Sequence, residues 1–164
     1  MCPLLEVQEL KKHFPITSGV ILKKVHGLVH AVDGIDFFIN EGETLGLVGE
    51  SGSGKTTTGK LVLGLLKPTA GKVLFEGKNL AAMSRKEMKK VRKGMGVIFQ
   101  DPTSSLDPRK TAASIIGEPI EIHKTLNQHD KKRRVAELIE EVGLGHEHLD
   151  RYPHEFSGGQ LQRI

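Results

Sequence analysis

The sequence predicts an α/β fold organised on a single strand–loop–helix unit, with β-structure before that unit and helices after it. Three observations carry the prediction. A short apolar run, Thr44-Leu45-Gly46-Leu47-Val48, leads through a glycine-rich segment into a helical stretch over residues 57–66. Ahead of it, short apolar segments bounded by polar turns read as strands. Beyond Asp101 the pattern changes to capping residues followed by apolar positions at helical spacing.

Taken in order, residues 4–10 partly alternate and read as a strand. Residues 11–27 are basic, contain glycine and read as a loop. Residues 29–32 and 35–39 read as two further strands, and Asn40-Glu41-Gly42-Glu43 as a turn into the apolar run. After the first helix, Lys67-Pro68-Thr69-Ala70-Gly71 breaks the pattern, residues 72–76 form a strand and Gly77 turns the chain. Ser84 and Glu87 have capping-box spacing and open a short basic helix to about Lys93. Gly96-Val97-Ile98-Phe99 reads as a second buried strand, ending at Gln100, and residues 101–109 as a loop. Thr111 can cap a helix that Pro119 interrupts. Asp130 can cap another, with Val135, Leu138, Ile139 and Val142 on one face and Gly143 as its stop.

The chain has 164 residues, enough for one domain with a real core. Hydrophobic content of 37% and charged content of 27% are ordinary for a soluble globular protein. No apolar run approaches the length of a membrane span, and residues 1–6 lack the shape of a signal peptide. Cys2 is the only cysteine, which excludes an internal disulfide and a cysteine-based metal site, so a cytoplasmic setting is expected. A net charge of +4 and a pI of about 9.2 fit a nucleic acid, an anionic membrane surface, a polyphosphate ligand or simply solvated lysines. Aromatics at 4%, with no Trp, argue against a platform for stacking bases of nucleic acid. The basic run Lys131-Lys132-Arg133-Arg134 reads as a solvated helix start, and His146 and His148 lack the further ligands a metal would need.

The first chemical signal is Gly49-Glu50-Ser51-Gly52-Ser53-Gly54-Lys55-Thr56, with the spacing G-x-x-x-x-G-K-[ST] of a phosphate-binding loop. Glycines let the backbone wrap close to phosphates without Cβ clashes. Successive N–H groups and the positive end of the helix dipole then face the anion. Lys55 would reach the β- and γ-phosphates, and the Thr56 hydroxyl would bind Mg²⁺. A plain glycine-rich turn is the alternative, but four fixed positions match by chance in well under about 1% of chains this long. The second signal is Phe156-Ser157-Gly158-Gly159-Gln160, another glycine loop at a helix start that could meet phosphate through Ser157 and backbone N–H groups. Alone it is a weak signal, and a plain N-cap turn is the more common explanation.

The phosphate loop, a glutamine closing Val97-Ile98-Phe99-Gln100, and Ser157-Gly158-Gly159-Gln160 occur in that order, and this order resembles the ATP-binding cassette (ABC) family. Asp101-Pro102, Ser105-Leu106-Asp107-Pro108-Arg109 and Arg151-Tyr152-Pro153-His154-Glu155 narrow the resemblance to the dipeptide and oligopeptide importer ATPases, with their nickel-importer relatives. It extends from about Leu4 to Ile164, and Gln160 with Gln162-Arg163-Ile164 looks like the second of the two paired ATPase subunits. The resemblance implies a P-loop NTPase core of RecA-like type, an N-terminal antiparallel β subdomain and an inserted α-helical subdomain. Residues 1–100 would hold the β subdomain and nucleotide core, and residues 101–164 the glutamine loop and the helical subdomain as far as the signature motif.

It further implies roles for single residues. Gly49, Glu50, Ser51, Gly52, Ser53, Gly54, Lys55, Thr56 and Thr57 would hold the phosphates of ATP, with Lys55 also serving catalysis and Thr56 binding Mg²⁺. Gln100 would sit by Mg²⁺ and the attacking water; an amide can accept from water and coordinate metal without titrating. Phe14 either stacks on adenine or is a core aromatic. Ser157, Gly158, Gly159 and Gln160 would contact ATP held by a second ATPase subunit, identical or homologous. The other implied partners are two transmembrane permease subunits and, indirectly, an extracellular solute-binding protein; no nucleic acid is implied. The protein would lie peripherally on the cytoplasmic face of the membrane.

The family continues with an apolar strand ending in Asp-Glu and a later histidine loop, and neither occurs among these residues. The C-terminal part of the core is therefore expected to be missing from the sequence in hand, with hydrolysis nearly abolished and independent folding in doubt. Two other readings remain: a non-hydrolysing nucleotide-binding fragment, and a member of the same family linked to nucleic-acid metabolism.

Overall fold

The computed structural model describes residues 3–18, 24–99, 101, 105–123 and 126–164, and the backbone alone at residues 24 and 25. The chain divides into two compact units, Met1–Met95 and Gly96–Ile164.

The first unit is built on a four-stranded antiparallel sheet. Its strands are β1 (Leu5–Ser18), β2 (Lys24–Ile39), β3 (Ala70–Phe75) and β4 (Lys78–Asn79), in the order β2-β1-β3-β4. Alternation puts Leu5 and Val7 of β1 on the buried face. Strict alternation would then send Leu10 outward. Instead the register slips between Val7 and Leu10, where Glu9 adopts φ 46°, and Leu10 returns to the core with no exposure at all. An extra residue in one strand resets which face the following side chains take. Leu5, Val7, Leu10, Val32 and Val73 pack against Leu61 of the helix α1 (Lys55–Val62) and against Leu80. Complete burial of a Leu contributes on the order of 1.5–3 kcal/mol, so Leu10 and Leu61 anchor sheet to helix.

Residues 11–18 and 24–27, expected in a loop, are the arms of the β1–β2 hairpin, and β2 is one strand through Gly34, not two. Polar side chains hide this pairing because much of the hairpin faces solvent. Its stability comes from cross-strand partners such as His13–His30 and Phe14–Val29, which no local periodicity reports. Two expected strands do not form: residues 44–48 and 96–99 carry no ladder, and Val48 and Ile98 are 94% and 98% exposed. An apolar run marks a buried strand only where neighbours flank it, and the single sheet among the described residues includes neither run.

The turn before the first of these runs forms as expected, with the Glu43 N–H donating to the Asn40 carbonyl at 3.2 Å. The helix α2 (Arg85–Arg92) carries both bonds of its capping box, and the Ser84 hydroxyl and N–H hold the Glu87 carboxyl below its ordinary pKa.

The second unit is helical: α3 (Ala112–His123), α4 (Gln128–Glu141) and α5 (Gly158–Arg163), with single 3₁₀ turns at His146–His148 and Pro153–Glu155. Pro119 does not break α3 but lies inside it. Its ring fixes a helical φ, and the cost is one missing N–H donor. Asn127, not Asp130, caps α4: its Oδ1 accepts from the Asp130 N–H at 2.9 Å, while its amide donates to Asp130 Oδ2 at 2.7 Å. Val135 and Ile139 are buried, and Gly143 (φ 71°) ends the helix. Three residues of the basic run are paired: Lys131 bonds Glu121, Arg133 lies 3.0 Å from Asp130, and Arg134 lies 2.8 Å from Glu141. Among the described residues no helix is long and apolar enough to cross a membrane.

Candidate functional site

The glycine-rich loop sits at the start of α1, and Gly54 is its N-cap residue. Gly54 has φ 92°, and a Cβ there would lie 2.1 Å from the Ala31 carbonyl oxygen of β2. Only glycine satisfies both constraints. Its own carbonyl accepts from the Thr58 N–H at 2.8 Å and the Thr58 hydroxyl at 3.1 Å. Thr58 is 5% exposed, so a buried threonine ties the loop to the helix.

This makes a prediction. Gly54→Ala should destabilise the unit by about 1–3 kcal/mol from backbone strain alone, before the clash is counted. Gly59→Ala is the control, because a Cβ in that helical position meets nothing within 4 Å; it should be neutral or stabilise by up to about 1 kcal/mol. Denaturant midpoints of the two variants check the contrast, and equal midpoints would dismiss the Ala31 contact.

Lys55 folds back over the loop. Its ammonium donates to the Gly49 carbonyl at 2.7 Å and the Glu50 carbonyl at 2.6 Å, with Ser53 Oγ at 3.4 Å. The loop also turns on itself through the Ser53 N–H donating to the Glu50 carbonyl at 3.2 Å. The first turn of α1 has no acidic residue, and Gly54 offers no side chain to cap it. Ser84, Asn127 and Ser157 cap α2, α4 and α5. The first N–H groups of α1 thus suit an external anion, and the residues fit a phosphate group. Thr56 follows Lys55 on the helix and is exposed, while Thr57 is half-buried. A cleft of about 330 Å³ runs beside the loop, lined by Gly49, Ser53, Lys55, His30 and Asp33 among others.

Phe14 lies on β1 opposite Val29, is 37% exposed, and has the Lys12 ammonium 5.1 Å from its ring centre. Gln100 lies outside the described residues. In the second unit, Ser157 caps α5 with a full capping box: its Oγ accepts from the Gln160 N–H at 3.4 Å, and Gln160 Oε1 accepts from the Ser157 N–H at 2.9 Å. Phe156 and Leu161 are buried with Ala112, which anchors the turn on both sides. Gly158 and Gly159 have no positive φ, and a Cβ on either would meet nothing within 4 Å. Nothing among the described residues requires glycine there.

Sequence reasoning missed a cluster on the first unit's hairpin. His13 Nε2 lies 3.1 Å from Asp33 Oδ1, and His30 Nδ1 lies 3.3 Å from Asp33 Oδ2. Hydrogen bonds from His30 first, then His13, hold the Asp33 carboxyl below its ordinary pKa. The signal was the hairpin register, which is invisible when residues 11–27 are read as a loop.

Comparison with known proteins gives this geometry its context. The ABC transporter family profile matches residues 32–164. The chain is 49% identical over 162 residues to the oligopeptide transport ATP-binding protein AppF of Bacillus subtilis (strain 168), covering 98% of this chain and 49% of AppF. It is 50% identical over 163 residues to OppF of the same organism, an oligopeptide transport ATP-binding protein, covering 98% and 51%. It is 48% identical to the glutathione import ATP-binding protein GsiA of Escherichia coli (strain K12), covering 99% of this chain and 26% of GsiA. The chain therefore spans about half the length of AppF and OppF. Among solved structures, the dimeric ATP-binding cassette MJ0796 bound to ADP and phosphate superposes with a TM-score of 0.82 at 25% identity, covering 97% of this chain and 66% of that one. CbiO1 of Clostridium perfringens, part of the ABC transporter complex cbiONQ, gives 0.74 at 28% identity, covering 98% and 58%. The fold is that of ABC ATPase cassettes, and the chain belongs to the ABC transporter family.

Proposed function

We propose that this chain is the ATP-binding part of an ABC importer for di- or oligopeptides. The observation that carries the reading is the loop itself: Gly54 fitted under Ala31, Lys55 over the loop, and the start of α1 without a side-chain cap. The names of relatives about half identical to it, two oligopeptide transport proteins and one glutathione import protein, support the substrate class.

In this reading the N–H groups of residues 49–57 and the Lys55 ammonium bind and orient the β- and γ-phosphates. Mg²⁺ supplies charge neutralisation on those phosphates, and the Thr56 hydroxyl and Gln100 amide would hold it. Gln100 also positions the attacking water. Ser157, Gly158, Gly159 and Gln160 face the nucleotide of a second ATPase subunit, identical or homologous. The open space over both glycines supports an approach from outside the chain. Two permease subunits and, through them, an extracellular solute-binding protein complete the assembly, with this subunit peripheral on the cytoplasmic face. These 164 residues contain no Asp-Glu pair, so on their own they would hold nucleotide and turn it over very slowly.

Phe14 would stack on the base. Because any purine offers a face, Phe14→Ala should weaken ATP and GTP alike, by roughly 1–3 kcal/mol. Titration of both nucleotides checks this, and unchanged affinity for both would return Phe14 to a packing role.

The test of function is reconstitution of the full-length subunit with its partner ATPase, permeases and binding protein in vesicles. Phosphate release should rise when the binding protein carries a peptide. Release that is indifferent to peptides but stimulated by nucleic acid would replace this reading with the nucleic-acid one.

A further inference from the structure

We propose that His13, His30 and Asp33 form a binding site for a transition-metal dication such as Zn²⁺, separate from the Mg²⁺ of the nucleotide. Among the described residues this is the one group of three His, Cys, Asp or Glu side chains whose donor atoms all lie within 4.8 Å of one another.

The backbone builds the cluster. His30 and Asp33 are three apart on β2, a spacing that puts side chains on opposite faces of a regular strand. Here the register shifts between Lys12 and His13: Lys12 pairs with Val32, but His13 pairs with His30, so Ala31 is an extra residue. That bulge turns His30 onto the face that carries Asp33. His13 arrives on the same face from β1, because Lys11 pairs with Asp33 and His13 lies two residues further on. The result is two imidazoles stacked with centroids 4.0 Å apart, both aimed at one carboxylate.

The donor spacing suits a metal. Ligands about 2.1 Å from a tetrahedral ion sit about 3.4 Å from one another. His13 Nε2 lies 3.1 Å from Asp33 Oδ1 and His30 Nδ1 lies 3.3 Å from Asp33 Oδ2, and one donor atom from each of the three residues lies within 4.8 Å of the others. Two nitrogens and one oxygen favour borderline ions such as Zn²⁺, Ni²⁺ or Co²⁺ over Mg²⁺, which prefers oxygen ligands. Three protein ligands leave a fourth position for water. The platform is also braced: the His13 N–H donates to the Thr69 hydroxyl at 3.0 Å, fixing β1 against the segment before β3. Lys11 Nζ lies 3.7 Å from Asp33 Oδ1, and the Lys11 side chain is 39% exposed, so the ammonium can move into water when an ion takes the carboxylate. The bulge residue that shapes the cluster is the residue whose carbonyl meets Gly54, and His30 and Asp33 line the cleft beside Lys55. The site therefore lies next to the phosphate loop, within the same unit.

The experiment uses histidine side-chain ¹⁵N spectra of the metal-free protein titrated with Zn²⁺, and in parallel with Mg²⁺. The expected result is saturation at one equivalent of Zn²⁺, with shifts at His13 Nε2 and His30 Nδ1, while Mg²⁺ leaves both unmoved. His13→Ala and Asp33→Asn should each weaken Zn²⁺ binding at least about tenfold, and His146→Ala should not. Unmoved His13 and His30 resonances, or Mg²⁺ shifting them as Zn²⁺ does, would overturn the proposal. The spectra decide it even if a variant fails to fold, because they need no substitution.

Discussion

Lys55→Ala should weaken ATP binding about ten- to a hundredfold. The lost interaction is a charge-assisted one, and hydrogen bonds to charged groups contribute about 1.5–3 kcal/mol each. The structure adds a second cost. The ammonium joins the Gly49 and Glu50 carbonyls at 2.7 and 2.6 Å, so it closes the loop on itself. Without it, two carbonyls at the loop mouth face each other with no cation between them, and the loop loses the shape that presents its N–H groups. Lys60→Ala is the matched control, since it removes an exposed lysine from the same helix without touching the loop. Titration with a fluorescent ATP analogue checks both. Equal affinities for wild type and Lys55→Ala would remove the phosphate-loop assignment.

Ser157→Arg should abolish hydrolysis in the assembled full-length transporter and leave ATP binding by the single subunit nearly intact. Ser157 heads α5 beside two glycines with open space above them. A nucleotide held by the second subunit would enter that space and meet the free N–H groups of the helix start. An arginine there fills it. The change also removes the Ser157–Gln160 cap, typically about 1 kcal/mol, so Ser157→Ala must be measured beside it. Ala loses the cap without the bulk, and most turnover should survive. If Ser157→Arg instead eliminates nucleotide binding by the lone subunit, the turn serves its own chain's nucleotide.

What could be read from the sequence was local. The glycine-rich loop leading into α1 was legible because its glycine spacing is local, and the Ser84–Glu87 box because a cap and its partner lie three residues apart. Gly143 was legible as a stop because glycine readily takes the positive φ that ends a helix. What failed was non-local. Residues 44–48 and 96–99 have the composition of buried strands, but composition cannot supply neighbours, and neither run joins the sheet. The hairpin arms at residues 11–18 and 24–27 have loop composition but find partners across the turn. Asn127 displaced Asp130 as the cap of α4 because both residues are good caps, and only the chain path decides which comes first. The His13–His30–Asp33 cluster depends on a one-residue bulge at Ala31, a feature without a sequence signature here.

The central claim is that residues 49–57 form the phosphate cradle of an ATP site. Backbone amide spectra of the protein, recorded with Mg²⁺ and increasing ATP, test it most directly. The account expects large, saturable shifts at the amides of residues 49–57, still present with inorganic triphosphate and much smaller with adenosine. Saturable ATP binding that leaves those amides unmoved would contradict it.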